Sequence, residues 1–295
     1  MNVKIDETAG FCWGVVRTVD KAEETISHYE DKKIYVLGDI IHNPKETERL
    51  KNKGLNTVTI DDFSNIDPKN SKVIIRAHGE PPATFDKAEK LGLSIVDATC
   101  PIVTALQQRV KRLHTKGFQI VIYGKPNHPE VIGIRGGIKD DCIIITSVEE
   151  AMSFVDFNKK TALFSQTTME KSTYYKIREA IENKVENFID GGELKDNFKF
   201  KDTLCKQVWG RDESVLKFAA ENDLIIFVAG RNSSNGKSLF KHMKTIHPNM
   251  HYIEDSKELQ KEWFEGVENV GISGATSTPQ WYMEEVKQKI IDDYS

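Results

Sequence analysis

Three cysteines stand out by type and spacing: Cys12 in Gly10-Phe11-Cys12-Trp13-Gly14, Cys100 in Asp97-Ala98-Thr99-Cys100-Pro101, and Cys205 in Asp202-Thr203-Leu204-Cys205-Lys206. The gaps are 100 − 12 = 88 and 205 − 100 = 105 residues, each about the length of one small domain. Each cysteine falls at a strand-to-helix junction, and Pro101 is a helix-start proline. A thiol at a helix N-terminus is pushed toward thiolate by the positive end of the helix dipole, and thiolate is the metal-binding form. Three such thiolates from three units could converge on one metal centre. A centre with three protein ligands leaves one coordination position open for chemistry.

Taken singly, a buried free cysteine is more often a small core hydrophobe than a ligand. A structural zinc site would show two ligands two to four residues apart, and ferredoxin-type clusters also use tightly spaced cysteines. Neither pattern is present, so spacing alone leaves a metal centre and three packed thiols both open. No signal peptide precedes Val3 and no long apolar run spans a membrane, so disulfides are not expected and the location expected is cytoplasmic. Cys142 opens the apolar run Cys142-Ile143-Ile144-Ile145 and reads as an inert core thiol.

The elements that must position these groups follow a βα rhythm. Short apolar runs at 34–38, 73–76, 120–124, 162–165, 224–228 and 270–273 each end in a loop rich in Gly, His or Ser/Thr. Strands alternating with helices predict parallel α/β sheets, whose ligands collect beyond the carboxyl ends of the strands. Two such strand ends fall in each interval that begins with a cysteine. The economical arrangement is a threefold internal pseudo-repeat, three small α/β units facing one central pocket. The spacing predicts a helix through Val103, Leu106, Val110 and Leu113, and another through Val208, Val215 and Phe218. The stretch from Asp190 to Lys201 reads as a connector. The glycines Gly124, Gly133, Gly136 and Gly137 would permit a loop to move.

The strand ends carry His42, His78 and His128, together with Ser233, Ser234, Asn235 and Ser277. The loop Gly230-Arg231-Asn232-Ser233-Ser234-Asn235-Gly236 opens a helix through Leu239 and Met243, a placement suited to a phosphate at a helix N-terminus. Each residue alone is a common cap or turn residue; together at corresponding strand ends they describe a cradle for an anion, with a diphosphate the anion expected. Glu130 is the carboxylate placed beside a histidine at one of these ends, with Gln166-Thr167-Thr168 available to orient it. Such a group can relay protons; its plain alternative is a first-turn acid that stabilises the helix dipole.

Composition fits a folded chain with room for two or three compact units. Its 295 residues carry 41 basic and 45 acidic side chains, net −4, interspersed, and 39% are hydrophobic. No basic stripe with clustered aromatics points to nucleic acid, and nothing points to a membrane.

Several of these motifs together resemble the family of 4-hydroxy-3-methylbut-2-enyl diphosphate reductases, the iron-sulfur reductases of the non-mevalonate isoprenoid pathway. They are Gly10-Phe11-Cys12-Trp13-Gly14-Val15, Ile41-His42-Asn43-Pro44, Ala77-His78-Gly79, Asp97-Ala98-Thr99-Cys100-Pro101, His128-Pro129-Glu130-Val131-Ile132-Gly133, Gln166-Thr167-Thr168, Asn232-Ser233-Ser234-Asn235 and Gly274-Ala275-Thr276-Ser277-Thr278-Pro279. The resemblance runs in order from the first strand to Pro279. It implies a trefoil of three small α/β domains with pseudo-threefold symmetry around a central cluster, divided as 13–99, 100–200, and 201–295 together with 1–12. It further implies that Cys12, Cys100 and Cys205 hold a 4Fe–4S cluster. The diphosphate would be bound by His42, His78, His128, Ser233, Ser234, Asn235 and Ser277. Thr167 would help position the substrate and Glu130, and Glu130 would serve the proton relay.

The implied reaction is reductive dehydration of the hydroxylated allylic diphosphate to isopentenyl and dimethylallyl diphosphate. Two electrons would arrive from ferredoxin or flavodoxin, and an iron without a protein ligand would act as Lewis acid on the hydroxyl. The chain departs from the commonest family pattern after Cys205, where it has Lys206-Gln207-Val208-Trp209-Gly210-Arg211-Asp212. It departs again at Glu46-Thr47, where two valines are usual, and at Gly274-Ala275-Thr276. None of these removes a ligand, a diphosphate donor or the acid. Two other classes fit the residues less closely: a diphosphate-binding module without redox chemistry, and a cluster hydratase that needs no reductant.

Overall fold

The computed structural model describes residues 1–188 and 194–294. The chain forms two compact units, one of Met1–His28, Asp39–Thr57 and Lys206–Ser295, the other of Tyr29–Gly38 and Val58–Cys205. It opens with β1 (Asn2–Ile5) and α1 (Trp13–His28), followed by β2 (Lys33–Leu37), α2 (Pro44–Asn52), β3 (Leu55–Val58), β4 (Ser71–Ile75), α3 (Pro82–Lys90) and β5 (Ile95–Asp97). Then come α4 (Pro101–Thr115), β6 (Gln119–Tyr123), α5 (Pro129–Gly136), β7 (Ile143–Ile145), α6 (Val148–Phe154), β8 (Thr161–Ser165), α7 (Lys171–Phe188), α8 (Leu194–Asn197) and β9 (Phe198–Phe200). The last stretch holds α9 (Lys206–Trp209), α10 (Asp212–Ala220), β10 (Leu224–Val228), α11 (Ser234–Lys244), β11 (Met250–Ile253), β12 (Asn269–Gly274) and α12 (Gln280–Tyr294).

The strands form three four-stranded parallel sheets, so the fold is α/β. Their orders are β3-β2-β4-β5, β7-β6-β8-β9 and β11-β10-β12-β1. Ranked by first appearance, the first two sheets read second, first, third, fourth. The third sheet reads the same way if β1, from the start of the chain, takes the fourth place. One topology is thus used three times, and the chain termini cut the third copy between its third and fourth strands.

The central strands of each sheet are covered on both faces, which is why they read as continuous apolar runs. In β10, alternate side chains serve opposite faces. Leu224, Ile226 and Val228 pack with Ile272 and with Tyr282, Met283, Val286 and Ile290 of α12. Ile225 and Phe227 pack with Val215 and Ala219 of α10 and Leu239 and Met243 of α11. In the other unit, Ile120 and Ile122 of β6 pack with Leu106 and Val110 of α4 and Ile134 of α5. Val73 and Ile75 of β4 pack with Phe63 and Ala88. Burying each such side chain stabilises by ~1.5–3 kcal/mol.

All six runs read from the sequence are strands. Four other readings change. The proposed connector contains α8 and β9, and β9 pairs with β8 in register Thr161↔Phe198; the alternation of Phe198 and Phe200 around Lys199 is too short to announce a strand alone. The remainder of that stretch, 190–193, lies outside the described residues. The helix expected through Val208, Val215 and Phe218 is two helices, α9 and α10, separated at Gly210-Arg211, where glycine is a poor helix former. Gly133 and Gly136 do not sit in a loop; they lie within α5, where a Cβ at 133 would crowd Gln107 and one at 136 would overlap Pro81. Close packing, not motion, accounts for them. Cys142 is partly exposed rather than a full core residue, packs beside the β6 core, and burial pushes its thiol up to about 11. Among the described residues, no helix is long and apolar enough to cross a membrane.

Candidate active site

The three cysteines are positioned by one device used three times. Each follows the fourth strand of its sheet, β1, β5 or β9, and each precedes a helix, α1, α4 or α9. An aspartate stands at or just past the end of each fourth strand and folds the chain over. Asp6 accepts from the Thr8 amide at 2.9 Å, Asp97 from the Thr99 amide at 2.9 Å, and Asp202 from the Leu204 amide at 3.1 Å. These are turns in which a short carboxylate stands in for a backbone acceptor. The cysteine amide then donates to the loop after the neighbouring third strand: Cys12 to Thr276 at 3.1 Å, Cys100 to Ala77 at 2.9 Å, and Cys205 to Thr167 at 2.8 Å. Thr276, Ala77 and Thr167 each stand two residues past the end of β12, β4 and β8. None of the three is in a disulfide, and each is partly exposed.

In the first unit the loops after β10 and β12 gather short polar side chains. Ser233 caps α11, its Oγ accepting from the Gly236 amide at 3.0 Å and lying 3.4 Å from the Ser277 Oγ. Asn235 donates through Nδ2 to the Thr276 hydroxyl, and its Oδ1 is buried with no hydrogen-bond partner among the described residues. Ser233, Ser234, Asn235 and Ser277 are all buried. Gly230 lies directly against the His42 backbone, since a Cβ there would overlap the His42 carbonyl oxygen. Asn43 caps α2 by accepting from the Glu46 amide at 3.1 Å. The start of α11 presents the positive end of the helix dipole beside the Ser233 and Ser277 hydroxyls, an arrangement that suits an anion.

The second unit carries the titratable groups. His78 and His128 meet edge to face with ring centroids 5.3 Å apart. His128 caps α5, its Nδ1 accepting from the Glu130 amide at 3.2 Å. A neutral imidazole that accepts at Nδ1 carries its proton on Nε2, so that nitrogen is a donor. Glu130 is 1% exposed. The Thr167 amide donates to its Oε1 at 2.7 Å and the Thr167 hydroxyl to its Oε2 at 2.8 Å. Burial pushes the Glu130 carboxyl up to about 7, against the two Thr167 bonds, which favour the ionised form. The carbonyl of the same Thr167 takes the Cys205 amide. One residue therefore ties the acid to a cysteine.

The residues singled out from the sequence divide between the units. Cys12, His42, Ser233, Ser234, Asn235 and Ser277 belong to the first, and Cys100, Cys205, His78, His128, Glu130 and Thr167 to the second. Two participants escaped the sequence reading. Asp6 precedes Cys12 by six residues rather than three, which hides its likeness to Asp97 and Asp202. Thr276 becomes visible only when the three sheets are laid over one another and its place two residues past β12 is matched to Thr167.

The chain is similar to known proteins along nearly its whole length. A family described as LytB protein matches residues 3–291. The chain is 44% identical to 4-hydroxy-3-methylbut-2-enyl diphosphate reductase of Bacteroides thetaiotaomicron, over 98% of each chain. It is 41% identical to the enzyme so named from Chloroherpeton thalassium, over 98% of this chain and 96% of that one. Among solved structures, one named as (E)-4-hydroxy-3-methyl-but-2-enyl diphosphate reductase, the terminal enzyme of the non-mevalonate pathway, superposes with a TM-score of 0.72 at 37% identity, covering 99% of this chain and 100% of that one. The E-1-hydroxy-2-methyl-but-2-enyl-4-diphosphate reductase from Plasmodium falciparum superposes with a TM-score of 0.84 at 25% identity, covering 99% of this chain and 87% of that one.

Proposed function

The chain belongs to the LytB protein family, and we propose that it is an oxidoreductase acting on 4-hydroxy-3-methylbut-2-enyl diphosphate in the last step of the non-mevalonate route to isoprenoids. The reaction takes up two electrons and two protons. The allylic C–O bond breaks, the hydroxyl leaves as water with one proton, and the other proton makes a C–H bond to give isopentenyl or dimethylallyl diphosphate. The electrons come singly from a small carrier, ferredoxin or flavodoxin, and the enzyme works in the cytoplasm. The division into three domains, 13–99, 100–200, and 201–295 with 1–12, is part of this reading; each contains one sheet, counting β1 with the last.

Cys12, Cys100 and Cys205 are assigned as ligands of a 4Fe–4S cluster. The donor set fits: three cysteines outside any disulfide, partly exposed, each held by the same backbone bond at the start of a helix. When bound, such a cluster supplies single-electron transfer and an iron that can act as Lewis acid toward a hydroxyl oxygen. The protein's own part is to bind, orient and protonate. His42, His78, His128, Ser233, Ser234, Asn235 and Ser277 are assigned to the diphosphate. Binding the diphosphate, remote from the reacting carbon, orients the short allylic chain. Thr167 holds Glu130 and helps position the substrate.

The observation that carries the reading is the state of Glu130. Its carboxyl is buried beside a histidine cap, clamped at both oxygens, and poised at about 7, where it can both give and take a proton near neutrality. A first-turn acid serving only the helix dipole gains nothing from such burial. The test is Glu130→Gln, prepared anaerobically alongside the wild type. The variant should keep its cluster absorbance and iron content and lose ~10²–10⁴-fold in turnover with a chemical reductant. Undiminished turnover would remove Glu130 from the proton path. Turnover without any added reductant would favour a hydratase instead.

A further inference from the structure

Arg211 follows Cys205 by 211 − 205 = 6 residues in the sequence, yet in the fold it is bonded to Asp6, at the turn that leads to a different cysteine, Cys12. Its side chain is 13% exposed and reaches Asp6, with Nη2 donating to Oδ2 at 3.4 Å. The remaining groups Nε and Nη1 are buried with no hydrogen-bond partner among the described residues. Asp6 cannot take them, because its own lone pairs are occupied. The Thr8 amide and hydroxyl bond Oδ1 at 2.9 and 2.7 Å, and the Ser273 hydroxyl bonds Oδ2 at 2.8 Å. Asp6 is thus a fixed anchor, 3% exposed, at the turn that leads to Cys12. Burial pulls the Arg211 pKa below its ordinary value, opposed by Asp6 and by Cys12, which stands near enough to attract the cation. A guanidinium stays charged in proteins and offers five donors in a rigid fork. Here a buried cation with donors to spare is held at the turn that leads to Cys12.

We propose that Arg211 is a positioning residue for the electron-transfer step, its spare N–H groups donating to the sulfur-rich group bound at Cys12 and its charge, set against Asp6, raising that group's reduction potential. The proposal rests on the assignment of Cys12 as a cluster ligand. Net charge and hydrogen bonds to sulfur set the potential of iron–sulfur centres, and both act strongly where water is excluded. Each one-electron reduction adds a negative charge at the centre, which a neighbouring cation favours and a neighbouring carboxylate opposes. The pair therefore makes opposite-signed predictions for its two members. A role in packing alone makes no such prediction.

The experiment uses the full chain, reconstituted anaerobically with iron and sulfide, as wild type, Arg211→Gln, Arg211→Lys and Asp6→Asn. Iron and sulfide content are measured, then the midpoint potential by electron paramagnetic resonance of samples poised with dithionite. Arg211→Gln should lower the potential and Asp6→Asn should raise it. At a fixed poise the reduced-to-oxidised ratio of Arg211→Gln should fall about tenfold, equivalent to about 59 mV for one electron. Arg211→Lys keeps the charge without the fork and should fall less. If Arg211→Gln does not fold, the signs of Asp6→Asn and Arg211→Lys carry the test. Fully loaded variants with the wild-type potential, or shifts of one sign for both members of the pair, would overturn the role of Arg211 and leave the cluster assignment standing. A wild type that takes up no iron and sulfide would overturn both.

Discussion

Replacing Glu130 with glutamine should change the pH dependence of stability as well as turnover, and the sign is fixed by the geometry. The carboxyl is raised from 4.5 to about 7 because it is buried. A group whose folded pKa exceeds its unfolded pKa stabilises the fold fully below the unfolded value, and that stability is lost as pH rises through the folded value. The window runs from about 4.5 to about 7. At 1.36 kcal/mol per unit, a shift of about 2.5 units corresponds to roughly 3 kcal/mol, most of it lost between pH 5 and pH 8. Glutamine is isosteric, keeps an acceptor for the Thr167 amide, can turn its amide group toward the Thr167 hydroxyl, and does not ionise. Wild type should therefore lose roughly 2–3 kcal/mol relative to Glu130→Gln between those two pH values. Urea denaturation of both proteins at pH 5 and pH 8, read by circular dichroism with the slopes compared, measures it directly. Parallel behaviour of the two proteins would refute the reasoning, because it would mean that Glu130 ionises in the native state as it does in water.

Other outcomes follow from the same contacts. Thr167→Ala removes the hydroxyl that favours the ionised carboxylate, so the alkaline limb of the turnover profile, where the proton-donating form of Glu130 is lost, should move to higher pH, with Thr167→Ser restoring it; the pH–rate profile is the readout. Gly230→Ala places a methyl against the His42 carbonyl; it should cost ~1–3 kcal/mol in thermal unfolding and raise KM for the diphosphate more than it lowers kcat. Trp281→Phe removes the indole N–H that donates to the buried Glu46 at 2.9 Å. Arg49 remains as a partner at 2.9 Å, so the loss should be ~1–3 kcal/mol in denaturant midpoint without loss of cluster colour. Cys205→Ser should abolish cluster absorbance while leaving the fold intact by circular dichroism; a brown, fully loaded variant would remove Cys205 from the ligand set.

What the sequence reveals of the fold depends on where a strand sits in its sheet. The six strands read from it are β2, β4, β6, β8, β10 and β12, and these are the two central strands of every sheet. A central parallel strand has helices on both faces, so Leu224-Ile225-Ile226-Phe227-Val228 is apolar at every position and buried at every position. The six not named are the edges. β1, Asn2-Val3-Lys4-Ile5, buries only Val3, and β5, Ile95-Val96-Asp97, buries none fully. Half of an edge strand faces solvent, and three or four residues are too few for a period of two to emerge. The candidate site residues were picked out for a different reason: each alone is a common cap or turn residue, but together at the ends of several apolar runs they suggest an anion cradle. The backbone bonds that pin Cys12, Cys100 and Cys205 were not legible, since an amide carries no side-chain signal.

The repeated topology explains why the cysteine spacing is regular although no two cysteines share a local motif in full. Each thiol stands after a fourth strand, so the interval between cysteines is the length of one complete sheet with its helices. The third copy closes only when the chain's first strand pairs with its last, Val3 with Val270 and Ile5 with Ile272. Cys12 therefore depends on a contact between residues more than 260 positions apart, whereas Cys100 and Cys205 are fixed by pairings within their own intervals. Loop closure over that length is slow to reward, so the Cys12 anchor should form last in folding. Asp6 ties the same junction through the Ser273 hydroxyl at 2.8 Å and through Arg211.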